Sequence, residues 1–199
     1  MTTTICLIRH GITEANKTNR FAGRSNEPLH QEGRRQIEMI GQILKPEKIC
    51  RIFSGPLPRT AESAEILHKI IAAPVTIKAS FNEILIPHWD GLTKDEIRLR
   101  FGAEYPTWLA QPAEFQVKDC ETIEEVQARA VKETEQIFTK FEDKKVVIIS
   151  HLIVLRCLAL HYLNLSINNF RAIKIDNGSI SRLVRTKKDG NTSTIFWKD

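Results

Sequence analysis

Short all-apolar runs and stripes of helical period take turns along this chain, and they predict its elements. Thr4 to Ile8 is an apolar run ending at Arg9-His10-Gly11, which reads as a buried first strand entering a loop. The loop extends to about Leu29 and is rich in Gly, Asn, Thr and charge. Between Gly33 and Leu44, Ile37, Ile40, Gly41 and Leu44 fall at helical spacing, and Pro46 ends that helix. Lys48 to Phe53 predicts a second strand, broken by Ser54-Gly55-Pro56. Ala64, Leu67 and Ile71 share one face of a helix running from Arg59 to Ile71, and Val75 to Ile77 predicts a third, short strand.

The segment from about 82 to 120 is different in character. It holds Trp89 and Trp108, its periodicity is interrupted, and Thr93 with Glu96 fits a capping box. It reads as a cap inserted over the sheet edge. Thr122 with Glu125 is a second capping box and opens a long helix, with Ile123, Val126, Ala130, Ile137 and Phe141 along one face. Lys145 to Ser150, carrying Val146-Val147-Ile148-Ile149, is the clearest buried strand, and a helix follows from about Ile153 to Leu163. Asn177-Gly178 and Asp189-Gly190 are turn signals bounding a final pair of strands. Strands alternating with helices predict an α/β fold: a three-layer α/β/α sandwich with a mostly parallel central sheet and a small cap insertion. The 199 residues fit a single domain spanning 1–199.

Composition narrows the class. Apolar residues make up 42% and charged residues 27%, ordinary for a globular protein. The apolar runs are far shorter than the roughly 20 residues of a membrane span, so no membrane association is expected. The start, Met1-Thr2-Thr3-Thr4-Ile5, lacks a charged region ahead of an apolar stretch. Cys6, Cys50, Cys120 and Cys157 are scattered, which argues against a zinc cluster or disulfide scaffold and for free thiols in a reducing compartment. The expected location is the cytoplasm. The net charge of +5 comes without a run of five or more like charges or a basic stripe interleaved with aromatics, so no nucleic-acid partner is expected. A pocket for small anions is the simpler use of surplus arginine.

Two places share one logic. Arg9-His10-Gly11 follows the first strand, and Ser150-His151 follows the clearest one. Ligands of open parallel sheets bind beyond the carboxyl ends of strands, so two histidines there can meet in one crevice. A third strand end leads through Ser54-Gly55-Pro56 to Arg59-Thr60-Ala61, an arginine at a helix start where the dipole favours an anion. Taken singly, such a histidine is usually a surface group and such an arginine usually solvated. Their order and contexts together point to chemistry.

That order resembles the histidine phosphatase superfamily, which includes cofactor-dependent phosphoglycerate mutases and many small-molecule phosphatases. Leu7-Ile8-Arg9-His10-Gly11 with Thr13 and Asn16 matches the opening signature. Phe21, Gly23, Pro28-Leu29 and Gly33 match a second stretch, and Ser54-Gly55 with Arg59-Thr60-Ala61-Glu62-Ser63-Ala64 a third. Glu83-Ile84 with Trp89-Asp90-Gly91 matches the acid-bearing stretch, and Ser150-His151 the last. The resemblance implies a phosphoryl transfer without metal or cofactor. His10 is the implied nucleophile, Arg9, Arg59 and His151 surround the phosphate, and Glu83 is the proton donor. Asn16 adds an amide donor, and Gly23 and Leu152 join Arg9, Arg59 and Asn16 as substrate-binding positions. The short chain and the stretch Ile84-Leu85-Ile86-Pro87-His88-Trp89 are similar to the phosphatase branch, with α-ribazole phosphatases and broad-specificity phosphatases of like size.

Five positions depart from the pattern: Ile12, Asn26, His30 at a helix start, Pro87 where Gly is usual, and Leu152 where Gly usually follows the second histidine. Leu152 bears most on substrate identity. The leading expectation is a phosphomonoesterase for a small phosphorylated substrate, with a homodimer left open. A phosphoglycerate mutase and a weakly active relative that binds phosphorylated ligands are the alternatives.

Overall fold

A computed structural model of the chain describes residues 1–188 and 191–198; the turn expected at Asp189-Gly190 lies outside the described residues. The chain begins with β1 (Thr2–Arg9), followed by the single turn α1 (Glu14–Lys17) and then α2 (Gln31–Leu44). β2 (Arg51–Ser54) leads into α3 (Pro58–Ile71) and β3 (Val75–Ile77). α4 (Lys94–Arg100) and α5 (Glu104–Ala110) lie in the segment read as a cap. α6 (Ile123–Lys140), β4 (Lys145–Ser150), α7 (Leu152–Tyr162), β5 (Ile180–Lys188) and β6 (Asn191–Lys198) complete the order.

The six strands form one sheet in the order β3-β2-β4-β1-β5-β6. β1, β2, β3 and β4 pair in parallel, and β5 runs antiparallel to both neighbours. The sheet is therefore the centre of a mostly parallel α/β fold. The two central strands are apolar without alternation because both faces are covered. Cys6, Ile8, Val147 and Ile149 pack with Ile37, Ile40 and Leu44 of α2 and Ala64 and Leu67 of α3. Ile5, Leu7, Val146 and Ile148 face the other way, toward Ala130, Ile137 and Phe138 of α6 and the apolar residues of α7. α7 is buried nearly all round, which explains its continuous run Leu152-Ile153-Val154-Leu155. Each such Leu, Ile or Val contributes about 1.5–3 kcal/mol by leaving water.

The ends of the helices follow from local chemistry. Thr93 and Thr122 each close a capping box, with Glu96 and Glu125 answering. Pro58 stands in the first turn of α3, where a missing N–H costs nothing. His30 does the work of the usual hydroxyl: its Nδ1 accepts the Glu32 N–H at 3.2 Å and caps α2. One boundary differs from the sequence reading. The strand expected from Lys48 begins only at Arg51, because Lys45–Glu47 form a 3-10 turn around Pro46 and Lys48 is left-handed, at φ 54°.

Residues 82–120 bring an aromatic cluster centred on the fully buried Trp89. Its ring lies 5.1 Å from Phe115, 5.4 Å from Phe21 and 5.8 Å from Trp108, with mostly edge-on geometry. Pro87, in place of a glycine, opens a short 3-10 turn, Pro87–Trp89, that delivers Trp89 into this cluster.

Candidate active site

The register of the central strands builds the site. Arg9, the last residue of β1, pairs with Ser150, the last of β4, so His10 and His151 leave adjacent parallel strands side by side. Their ring centroids are 5.2 Å apart. The His10 N–H donates to Ser150 O at 3.1 Å, locking the two strand ends together. On the other side of β4, the Gly55 N–H donates to Ile149 O at 3.0 Å, and the chain then turns into α3, whose first turn carries Arg59. The loop after His10 fits because Gly11 meets Gly33: a β-carbon on Gly11 would stand 2.3 Å from the Gly33 carbonyl oxygen.

His10 is set in one tautomer. Its Nδ1 lies 2.8 Å from the Gly11 carbonyl oxygen, which can only accept, so Nδ1 carries the proton and Nε2 keeps its lone pair. Burial, then the charges of Arg59 and Arg9, hold its pKa well below the usual imidazole value. His151 is likewise held low, by burial first and then Arg59, His10 and Arg9. Both rings are therefore neutral at physiological pH.

Two arginines complete the floor. Arg59 donates from Nη2 to Gly23 O at 2.6 Å and from Nη1 to Ser25 O at 3.0 Å. Arg9 donates from Nη1 to Ile175 O at 2.8 Å, and burial pulls its guanidinium down to about 10, still charged at neutral pH. Arg9 Nε, Arg59 Nε and both ring nitrogens of His151 are buried with no protein partner. A buried unpaired donor costs roughly 1–3 kcal/mol, so this group is built for a hydrogen-bonding anion.

Glu83 faces the same crevice. It is 8% exposed, and burial raises its carboxyl above the usual range, against the Ile84 N–H and the charges of Arg59 and Arg9. Oε1 accepts the Ile84 N–H at 2.9 Å. The backbone beneath it is tethered. The Glu83 carbonyl accepts from Arg24 Nε at 2.9 Å and from Arg129 Nη2 at 3.3 Å. Both arginines end on the carboxylate of Glu121, which also accepts the Leu85 N–H at 3.0 Å.

The remaining sequence-expected residues are also found here. Asn16 lines the cleft, its Oδ1 accepting from Thr13 N at 3.1 Å and Asn177 Nδ2 at 2.9 Å. Thr13 itself caps α1. Gly23 and Leu152 line the cleft as well. His10, Glu83, Arg9, Arg59, Asn16, Gly23 and Leu152 thus share one cavity of about 460 Å³, with His151 against its floor. Glu62, an acid in the stretch that carries Arg59, is taken up elsewhere: it accepts the Leu29 N–H and pairs with Arg34. Sequence reasoning missed Asn177, Arg156, Arg171 and Lys94, which also line the cavity. Asn177 carried a turn signal only; the arginines carried no local signal. Among the described residues, no group of three or more His, Cys, Asp or Glu is arranged to hold a metal ion, and no helix is long and apolar enough to cross a membrane.

A neutral imidazole nitrogen, two buried arginines and a carboxyl of raised pKa thus face one cleft. The chain belongs to the histidine phosphatase superfamily (branch 1), whose family model matches residues 5–198. Among curated relatives it is similar to Phosphoserine phosphatase 1 of Hydrogenobacter thermophilus, 24% identical over 89% of this chain and 84% of that one. It is also similar to Probable phosphoglycerate mutase GpmB of Photorhabdus laumondii, 27% identical over 90% of this chain and 83% of the other. Among solved structures, Bacillus stearothermophilus YhfR superposes with a TM-score of 0.88 at 25% identity, covering 96% of this chain and 94% of its own.

Proposed function

We propose that the chain is one cytoplasmic domain, a metal-independent phosphomonoesterase that hydrolyses small phosphorylated metabolites through a phosphohistidine at His10. The observation that carries this reading is the tautomer of His10: Nδ1–H is spent on Gly11 O, leaving Nε2 as a nucleophile toward the cleft. Nε2 attacks phosphorus and the ester oxygen departs. Arg9 and Arg59 offer fixed N–H pairs to the phosphoryl oxygens, and His151 and Asn16 offer further contacts. The charge that a metal would otherwise supply comes from the two guanidinium groups. Glu83, whose carboxyl burial raises above the usual range, gives a proton to the leaving oxygen. Its carboxylate then takes a proton from the water that attacks the phosphohistidine, which releases inorganic phosphate and restores both groups. Free thiols at Cys6, Cys50, Cys120 and Cys157 support the cytoplasmic placement.

The test is rapid quenching during turnover of a labelled phosphomonoester in the presence of a chelator. The expected result is a phosphoenzyme labile in acid and stable in alkali, mapping to His10, with inorganic phosphate as product. Label on a serine or cysteine, or a strict requirement for added magnesium or zinc, overturns the mechanism. Quantitative return of the phosphoryl group to a second hydroxyl of the substrate replaces the hydrolase with a mutase.

A further inference from the structure

The cleft keeps a surplus of positive charge away from the phosphate floor. Besides Arg9 and Arg59 it is lined by Lys94, Arg156 and Arg171, while Glu83 is its acidic residue among those described. Arg20 also lines it but is matched by Glu96 at 3.3 Å. No ion pair among the described residues engages Lys94, Arg156 or Arg171.

Arg156 is held rigidly. It lies four residues after Leu152 on α7, one helical turn along, so both side chains face the cleft. Its Nε donates to Ile173 O at 2.7 Å, and its guanidinium lies over the Phe170 ring, 5.0 Å from the centroid. These contacts fix the fork and leave its terminal N–H groups uncommitted. Arg171, next to Phe170, presses on Arg156 as a like charge. Two such like charges repel, and an anion bound to both reverses the sign of that energy. Beside the pair runs an aromatic wall of Tyr105, Trp108 and Phe170, with Trp108 and Phe170 5.6 Å apart edge to face.

We propose that Arg156 and Arg171 form a second anion subsite, so that the preferred substrates are phosphomonoesters bearing a further anionic group on an apolar or aromatic body that packs against Trp108 and Phe170. This rests on the phosphatase reading of the same cleft. The phosphate sits on Arg9, Arg59 and the histidines, the body lies along the aromatic wall, and the second anion meets the fork of Arg156.

The experiment compares two aryl phosphates, 4-(carboxymethyl)phenyl phosphate and its amide, 4-(carbamoylmethyl)phenyl phosphate. The methylene insulates the ring, so the two leaving groups match and differ only in the remote charge. For the wild-type enzyme kcat/KM is expected to favour the acid by about tenfold or more, in line with a charge-assisted contact. Arg156→Gln is expected to bring that ratio below about twofold, and Arg171→Gln, at an exposed position, to lower it about threefold without threatening the fold. A wild-type ratio of one or less, or a ratio untouched by both variants, overturns the subsite. Calorimetric binding of the corresponding non-hydrolysable phosphonates makes the same comparison without turnover. If neither ester is hydrolysed but the acid phosphonate keeps its Arg156-dependent advantage, the phosphatase reading falls and the subsite stands. If the two phosphonates bind alike, the subsite falls whatever the turnover.

Discussion

Gly23→Ala isolates the loop that holds Arg59. Gly23 sits at φ 45°, and a β-carbon there would lie 1.7 Å from Asp90 Oδ1. Its carbonyl is the acceptor for Arg59 Nη2 at 2.6 Å. The substitution imposes two costs. A left-handed residue with a β-carbon costs about 1–2 kcal/mol. The overlap must then open from 1.7 Å to an ordinary contact of 3.4 Å, a displacement shared between Asp90 and the loop. Arg59 follows the carbonyl that anchors it, and a misplacement of about 1 Å in a positioned group costs on the order of 10²-fold in rate. We expect kcat/KM for a phosphomonoester to fall about 100-fold, equivalent to about 2.7 kcal/mol. The double variant Gly23→Ala/Asp90→Ala removes the other side of the overlap and should recover about tenfold, leaving the backbone cost of about 1–2 kcal/mol. Steady-state kinetics on both, with Asp90→Ala alone as reference and circular dichroism to check folding, decide the matter. A single variant within threefold of wild type, or a double variant no better than the single, refutes the reasoning.

Glu83→Gln should slow single-turnover phosphorylation by alkyl phosphates about 10²–10⁴-fold yet spare p-nitrophenyl phosphate, whose leaving group needs no proton; equal slowing of both removes Glu83 from the acid role. Because burial raises the Glu83 pKa and the protonated form is the acid, wild-type kcat/KM for alkyl phosphates should fall as pH rises through that value, and this alkaline limb should vanish in Glu83→Gln. Burial also raises Asp90, from 3.8 to about 6, so its contribution to stability is fully present below about pH 3.8 and lost as pH rises through about 6. Asp90→Asn should therefore gain on wild type by about 1–2 kcal/mol at pH 8, after discounting for its partial exposure, and by much less at pH 4.5. Denaturant melts at the two pH values test this, and a difference independent of pH refutes it.

The layers of the fold and the floor of the site were legible in the chain because both depend on local pattern. The apolar runs of β1 and β4 mark strands covered on both faces, and the residues just beyond such strands, His10 and His151, must stand at the carboxyl edge of the sheet. Arg59 was legible for the same reason, following a strand end into a helix start. Boundaries were less so: Arg51 rather than Lys48 opens β2, because the turn around Pro46 and the left-handed Lys48 take up the intervening residues. Only the tertiary structure decided what acts across long separations. Glu121 gathers Arg24 and Arg129 under the Glu83 backbone, three residues with no shared spacing. Arg156 and Arg171 look like ordinary surface cations until packing sets one over Phe170 and leaves both facing the cleft with no ion pair among the described residues. Periodicity reports which side of an element is buried; it carries no information on which residues of other elements arrive opposite it. The floor proposed to hold phosphate therefore followed from motif and strand order, whereas the shape and charge of the rest of the cleft came from the packing of residues 167–172 against α7 and from residues 82–120 lining the same cavity.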